Sequence, residues 1–145
     1  MYRTAILLPL LLLAGCSLLP ASNPQLQLEQ HYQVEWIGER PLIDRSYLSL
    51  ILDRDGRAFG HAGCNQWFGN YQLDGNRLSI ERIATTRKLC APALMEQEHR
   101  FLDALPNVER WDFSTTGQLQ LWPATGSAIR LWPEPAPAIQ PEHSR

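Results

Sequence analysis

The residues best suited to chemistry cluster in the stretch GHAGCNQWFGNY, residues 60–71. Cys64 could be a nucleophile, a metal ligand or half of a disulfide. A cysteine nucleophile needs a base, for which His61 and His99 are the candidates. The same histidines with Cys64 and Cys90 supply the atom types of a tetrahedral zinc site. The spacings H-x2-C and C-x8-H match no standard zinc pattern, however, and the chain has no C-x-x-C redox motif.

The N-terminus changes how the cysteines are counted. Residues 1–15 carry Arg3, no acidic residue and the apolar run AILLPLLLLAG, which predicts a secretory signal peptide. The run is too short for a spanning helix, which needs about 20 apolar residues. It ends in LAGC, which resembles the lipobox of bacterial lipoproteins; a cleavage site with an incidental cysteine is the alternative. The resemblance implies acylation of Cys16, and Ser17 in place of Asp implies sorting to the outer membrane.

Acylation of Cys16 would leave Cys64 and Cys90 as a pair in an oxidising compartment, where thiols tend to be joined. A disulfide between them would close a loop of about 27 residues and add roughly 3.5 kcal/mol in the loop-entropy model. We favour this interpretation over the nucleophile and the zinc site, and we expect no metal or cofactor. The net charge of −2 gives no basic surface for nucleic acid, which we do not expect as a partner.

The elements that must position these residues are mostly strands. Apolar residues alternate with polar ones at 32–36 and at Leu48 and Leu50, and Asp74-Gly75 is a strong hairpin signal. Three further short strands follow between residues 108 and 132. Four carboxylates of the earlier strands are expected in turns and on strand surfaces, and they do not form the facing pair of an acid–base catalyst. They are Asp53, Asp55, Asp74 and Glu81.

One segment, PALMEQEHRFLDAL at residues 92–105, has helical periodicity. Its apolar stripe consists of Leu94, Met95, Phe101, Leu102 and Leu105, with Glu96, Gln97, Arg100 and Asp103 elsewhere. Pro92 favours a helix start, and Pro106 favours a stop. We therefore predict an α+β fold: a strongly curved antiparallel β-sheet or small, partly open barrel of about seven strands, with one amphipathic helix packed on it.

The stretch from residue 60 to Cys90 also resembles the META domain of the HslJ-like heat-shock lipoproteins. The matching residues are Trp36 in the first strand, then Gly60, Gly63, Cys64, Asn65, Phe68, Gly69 and Tyr71, Thr86 and Cys90 before the helix, and Gly117, Leu119 and Leu121 in a closing hairpin. The family commonly has Met before the second cysteine, where this chain has Lys88 and Leu89. The resemblance covers about residues 31–132 and implies a compact α+β domain linked to heat shock and novobiocin resistance. It brings no reaction and no ligand.

These observations predict four segments: a signal peptide at 1–15, an acylated N-terminus and tether at 16–30, a META-like domain at 31–133, and a disordered Pro-rich tail at 134–145. We expect a non-enzymatic periplasmic protein, anchored to the outer membrane through lipid, with a role in envelope stress tolerance or in binding envelope proteins. The alternatives are a small barrel that binds an apolar ligand and an inhibitor of a periplasmic hydrolase of the lysozyme type.

Overall fold

The computed structural model describes residues 24–135. The predicted signal peptide, the predicted lipidation residue Cys16, the first part of the predicted tether and the predicted tail from residue 136 lie outside the described residues. The elements in chain order are β1 (Tyr32–Ile37), β2 (Arg40–Pro41), β3 (Ser49–Leu52), β4 (Arg57–His61), β5 (Gln66–Asp74), β6 (Arg77–Thr85), α1 (Pro92–Ala104), a 3-10 turn (Leu105–Asn107), β7 (Val108–Phe113), β8 (Leu119–Pro123) and β9 (Ile129–Pro133).

The strands form one antiparallel sheet that closes on itself. The order is β2-β1-β3-β4-β5-β6-β7-β8-β9, and β1 also pairs with β9, so that eight strands make a barrel and β2 is an extra short strand beside β1. The fold is mostly β with one helix. The predicted barrel class is confirmed. The barrel has eight strands rather than about seven, and it is closed rather than partly open. Closure leaves β1 and β9 with no free edge between them, which removes a site of unwanted pairing.

The barrel interior is filled by the chain's own side chains. Buried and more exposed residues alternate along strands such as β1 and β8, as a period of two predicts, whereas all four residues of β3 are buried. The largest fully buried side chains include Trp67, Tyr32 and Phe101, together with Leu48, Leu50, Leu52, Leu78, Ile80, Leu105, Leu119, Leu121 and Leu131. Phe101 of α1 meets Trp67 edge to face at 5.9 Å between ring centroids, which places the helix over the barrel core.

The hairpin between β5 and β6 forms where Asp74-Gly75 predicted it, with its turn shifted by one residue. Asp74 still pairs with Arg77, so the turn residues are Gly75 and Asn76. Gly75 has φ of +58°, and a two-residue turn of this kind places Gly at its first position because a side chain is disfavoured there.

The helix begins at Pro92 as predicted, but its buried face differs from the predicted apolar stripe. Phe101 is buried, and so are Gln97 and Glu98, whereas Leu94, Met95 and Leu102 are only partly covered. Two polar residues therefore face the protein interior. The reason is that the backbone N–H groups of Ile43 and Asn65 lie under this face, and Gln97 and Glu98 supply their acceptors.

Candidate functional site

The two cysteines of the central motif are joined. The predicted disulfide between Cys64 and Cys90 is present and links the corner between β4 and β5 to the segment that leads into α1. Gly63, one residue earlier, has φ of +107°, a conformation that residues with a Cβ rarely adopt. The glycine thus allows the sharp corner that brings Cys64 to its partner.

Asn65 connects this corner to the chain that follows β6. Its side-chain Oδ1 accepts hydrogen bonds from the Thr86 hydroxyl at 2.9 Å and from the Lys88 backbone N–H at 2.6 Å. Its Nδ2 donates to the Lys88 carbonyl at 3.2 Å and to Glu98 Oε1 at 2.7 Å. Asn65 therefore bridges three segments: the corner itself, the chain after β6 and α1.

Glu98 completes the network from the helix. The residue is 3% exposed. Its Oε2 accepts the backbone N–H groups of Cys64 at 3.1 Å and Asn65 at 2.6 Å. With the Asn65 side chain it therefore accepts three hydrogen bonds, which supply the polar partners that a buried carboxylate needs. We call Cys64, Cys90, Asn65, Thr86 and Glu98 the corner cluster.

The corner cluster uses its reactive groups for bonding within the fold. The Cys64 sulfur is bonded to Cys90, so in this state it offers no thiolate for attack or for metal binding. His61 and His99 are exposed, and His61 packs against Tyr47 at 5.5 Å between ring centroids. Among residues 24–135, no group of three or more His, Cys, Asp or Glu side chains is arranged to hold a metal ion.

Two further motif glycines lie where backbone segments touch. A Cβ on Gly60 would fall 2.1 Å from the Ser49 carbonyl oxygen, and one on Gly69 would fall 2.7 Å from the Glu81 carbonyl oxygen. Both distances are far below any normal contact, so each position needs glycine for close strand packing.

Trp36, the motif tryptophan of the first strand, lies beneath the Arg130 guanidinium at 4.4 Å in a cation–π contact.

The carboxylate of Asp53 is buried, and both of its oxygens accept hydrogen bonds. It accepts the backbone N–H groups of Asp55 at 2.9 Å and Arg57 at 2.8 Å, and the Arg57 Nε–H at 2.7 Å. These hydrogen bonds, the Arg57 backbone N–H foremost, hold the pKa of Asp53 below its ordinary value against the opposing effect of burial. Asp55 is exposed beside Arg57, and Asp74 and Glu81 are exposed on β5 and β6.

An aromatic ridge lies on the outside of the barrel. Phe59 of β4 pairs with Phe68 of β5, and the Phe68 side chain is 53% exposed. An open cleft of about 570 Å³ lies on one side of this pair, next to Tyr47 and His61. A second cleft of about 450 Å³ lies on the other side, next to Arg57 and Arg82. We call this region the Phe59–Phe68 surface.

A third cavity, of about 490 Å³, lies at the end of the barrel that α1 covers. Arg100 and Ala104 of α1 form one wall, and the strand ends of β1, β8 and β9 form the opposite wall. The sequence placed Arg100 off the apolar stripe but did not indicate a cavity. The spacing of apolar residues in the sequence could not predict this cavity or the exposure of Phe68, because both depend on which strands pack together.

Comparisons with known proteins agree with this fold. A family model for the META domain matches residues 24–136. An NMR structure of a protein from Burkholderia xenovorans is similar with a TM-score of 0.63 and 23% identity, over 74% of this chain and 83% of that one. Another NMR structure is similar with a TM-score of 0.56 and 22% identity, over 70% of this chain and 86% of that one. No curated protein matches the chain.

The described residues contain one α-helix. Neither it nor any other helical segment between residues 24 and 135 is long and apolar enough to cross a membrane.

Proposed function

The chain belongs to the META domain family, and from that membership we propose that it is an outer-membrane-anchored periplasmic lipoprotein of the HslJ-like branch. In this proposal it has no enzymatic activity and supports the envelope under stress by binding other envelope proteins. The lipobox-like LAGC at residues 13–16 supports the anchor, and the disulfide suits an oxidising compartment.

The corner cluster supports a non-enzymatic role. Its cysteines are bonded to each other, and the Asn65 and Glu98 side chains spend their hydrogen-bonding capacity on neighbouring backbone and side-chain groups. A catalytic group must be free to exchange a proton or a bond with a substrate. The residues that looked most like an active site in the sequence serve here to hold α1 and the strand corner together.

The observation that carries the proposal is the exposure of Phe68. Burying a phenylalanine side chain is worth about 1.5–3 kcal/mol, and Phe68 obtains only part of that in the free protein. Clefts on both sides of the Phe59–Phe68 pair give a partner's side chains somewhere to pack. Aromatic residues in such positions are typical of protein contact surfaces.

The charged residues beside the Phe59–Phe68 surface indicate the chemistry of the partner. Arg57 is already paired with Asp53 at 2.7 Å, but Arg82 makes no ion pair with the other described residues. Arg82 has φ of +55° beside a register shift between β5 and β6, a backbone irregularity that re-aims a side chain. We expect a partner segment that places an apolar side chain against Phe68 and a carboxylate near Arg82.

In vivo cross-linking at position 68 tests the partner. A photoreactive phenylalanine analogue replaces Phe68 in the full chain, and the cross-linked envelope proteins are identified by mass spectrometry. Leu73, also exposed on β5 but outside the clefts, is the matched control position. A defined partner at position 68 that is absent at position 73 supports the proposal.

Substitution then tests energetics and physiology together. Phe68→Ser should weaken binding to the identified partner about tenfold or more, because a buried aromatic contact is lost. It should also reproduce the heat or novobiocin sensitivity of a deletion strain, whereas Leu73→Ser should not. The same cross-links at both positions, or a Phe68→Ser strain that behaves like the parent, would contradict the proposed surface.

The anchor is tested separately. Labelled palmitate should be incorporated into the full chain, and Cys16→Ser should abolish the label and release the protein from the outer-membrane fraction. Label retained after this substitution would rule out lipidation at Cys16.

A further inference from the structure

The cavity between α1 and the barrel end combines an apolar floor with a polar rim. The floor consists of Ile37, Val108, Leu121 and Ile129, all buried side chains of the barrel core. The rim includes Asn107, Glu109, Thr125 and Ser127. A volume of about 490 Å³ falls within the range of small-molecule sites, which are mostly apolar with a few polar groups that set orientation.

Arg100 lines this cavity, and its guanidinium has no hydrogen-bond acceptor among the described residues. Its side chain is 20% exposed; Nε and Nη1 are covered by protein rather than open to the cavity, and neither has a hydrogen-bond partner among residues 24–135. Buried polar atoms are nearly always hydrogen-bonded, and leaving them unpaired is unfavourable. Arg100 therefore places a cation beside an apolar cavity, with two unused donors that must turn to reach it.

The carboxylates around Arg100 do not meet this demand. Glu96 Oε2 lies 3.7 Å from Arg100 Nη1, too far for a hydrogen bond, and its Oε1 binds Arg40 at 3.0 Å. Glu109 lies at the exposed rim and makes no ion pair with the other described residues. Its negative charge opposes the binding of any anion, and it opposes a ligand with several negative groups more than one with a single charge.

We propose that this cavity binds a small monocarboxylate with an apolar body. The body packs on Ile37, Val108, Leu121 and Ile129, and the carboxylate pairs with Arg100, whose planar guanidinium matches its geometry. The two buried nitrogens reach the carboxylate through rotation of the guanidinium about its last side-chain bonds. The site is separate from the Phe59–Phe68 surface, with which it shares no lining residue.

The test uses methyl NMR of the full chain in lipid nanodiscs, because the floor of the cavity supplies its own reporters. The probe is 3-phenylpropanoate, and its matched uncharged analogue is 3-phenylpropanamide. Millimolar 3-phenylpropanoate should shift the methyl signals of Ile37, Val108, Leu121 and Ile129 saturably. The amide should bind about tenfold more weakly, since it cannot form a charge-assisted pair with Arg100.

Variants separate the charge from the fold. Arg100→Gln should weaken binding of the acid about tenfold and leave the amide unchanged, while Arg100→Lys should retain part of the preference for the acid. Arg87→Gln removes an equal charge from an exposed residue that lines none of these clefts and should bind both probes normally. The methyl spectra without probe confirm that each variant is folded. Absence of saturable shifts, or equal affinity for acid and amide, would overturn the proposal.

Discussion

Glu98 provides the sharpest test of how the fold is held together. Its carboxylate accepts hydrogen bonds from the Cys64 N–H, the Asn65 N–H and the Asn65 side-chain amide. In Glu98→Gln, only one of the two side-chain oxygens remains. If that oxygen keeps the two backbone bonds, the new amide faces the Asn65 amide donor. If it keeps the Asn65 amide, the new donor faces the two backbone N–H groups.

Rotating the Asn65 amide does not relieve the conflict. Its Oδ1 already accepts the Thr86 hydroxyl and the Lys88 N–H, and both bonds would be lost. At least one buried donor is therefore left unpaired, at a cost of about 1–3 kcal/mol. The bonds that remain become neutral and about half as strong. Together these effects should lower the free energy of unfolding by about 2–4 kcal/mol.

The measurement is guanidinium denaturation of the oxidised protein, followed by the fluorescence of its tryptophans, which include the buried Trp67. Glu96→Gln is the matched control: the same change on the same helix, at a side chain that is 53% exposed, pairs with Arg40 at the surface and lies 3.7 Å from Arg100 Nη1. Such surface pairs contribute about 0–1 kcal/mol. If Glu98→Gln costs no more than Glu96→Gln, the corner cluster does not hold the helix as we describe.

Three further results are expected. The double variant Cys64→Ser/Cys90→Ser should lose about 3.5 kcal/mol of unfolding free energy, because the bond spans a sequence separation of 26 residues; a loss below about 1 kcal/mol in a denaturant titration would contradict the loop-entropy argument. Gly60→Ala should cost at least about 3 kcal/mol, because its Cβ would meet the Ser49 carbonyl oxygen at 2.1 Å, whereas Gly38→Ala, at φ of +61° with open space, should cost only about 1 kcal/mol by thermal unfolding. Because the folded-state pKa of Asp53 lies below its ordinary 3.8, its stabilisation is present above that pH and is lost as the pH falls through the folded pKa; Asp53→Asn should flatten this acid limb in urea midpoints measured against pH, and an unchanged limb would refute the assignment.

Much of the secondary structure was predictable from residue order because the signals are local. Pro92 and Pro106 act on their own backbone, and they bracket a helix that ends at Ala104 before a short 3-10 turn. The hairpin at Asp74-Gly75 formed with its turn one residue later, since Gly75 takes the positive φ at the first turn position. The number of strands and the closure were underestimated, because pairing of β1 with β9 joins residues about a hundred positions apart.

The candidate site was predictable only in part. The pairing of Cys64 with Cys90 followed from counting thiols in an oxidising compartment, a chemical argument that needs no geometry. Gln97 was assigned wrongly to the polar face of α1 because it was judged by side-chain polarity alone, and the burial of Glu98 was not predicted. Their burial depends on backbone donors at Ile43 and Asn65, which come from other parts of the chain.

The sequence by itself determined the strand and helix signals, the META-domain motif and the cysteine pair, since each rests on neighbouring residues or on a count. The tertiary structure alone decided that the barrel closes, that Glu98 faces inward, that Phe68 faces outward and that Arg100 borders a cavity. These features arise from packing between segments that are distant in the sequence. Whether a residue is apolar or polar does not determine which distant segment it will contact. For that reason the residues that looked catalytic became structural, and the surfaces now proposed for binding lie elsewhere on the molecule.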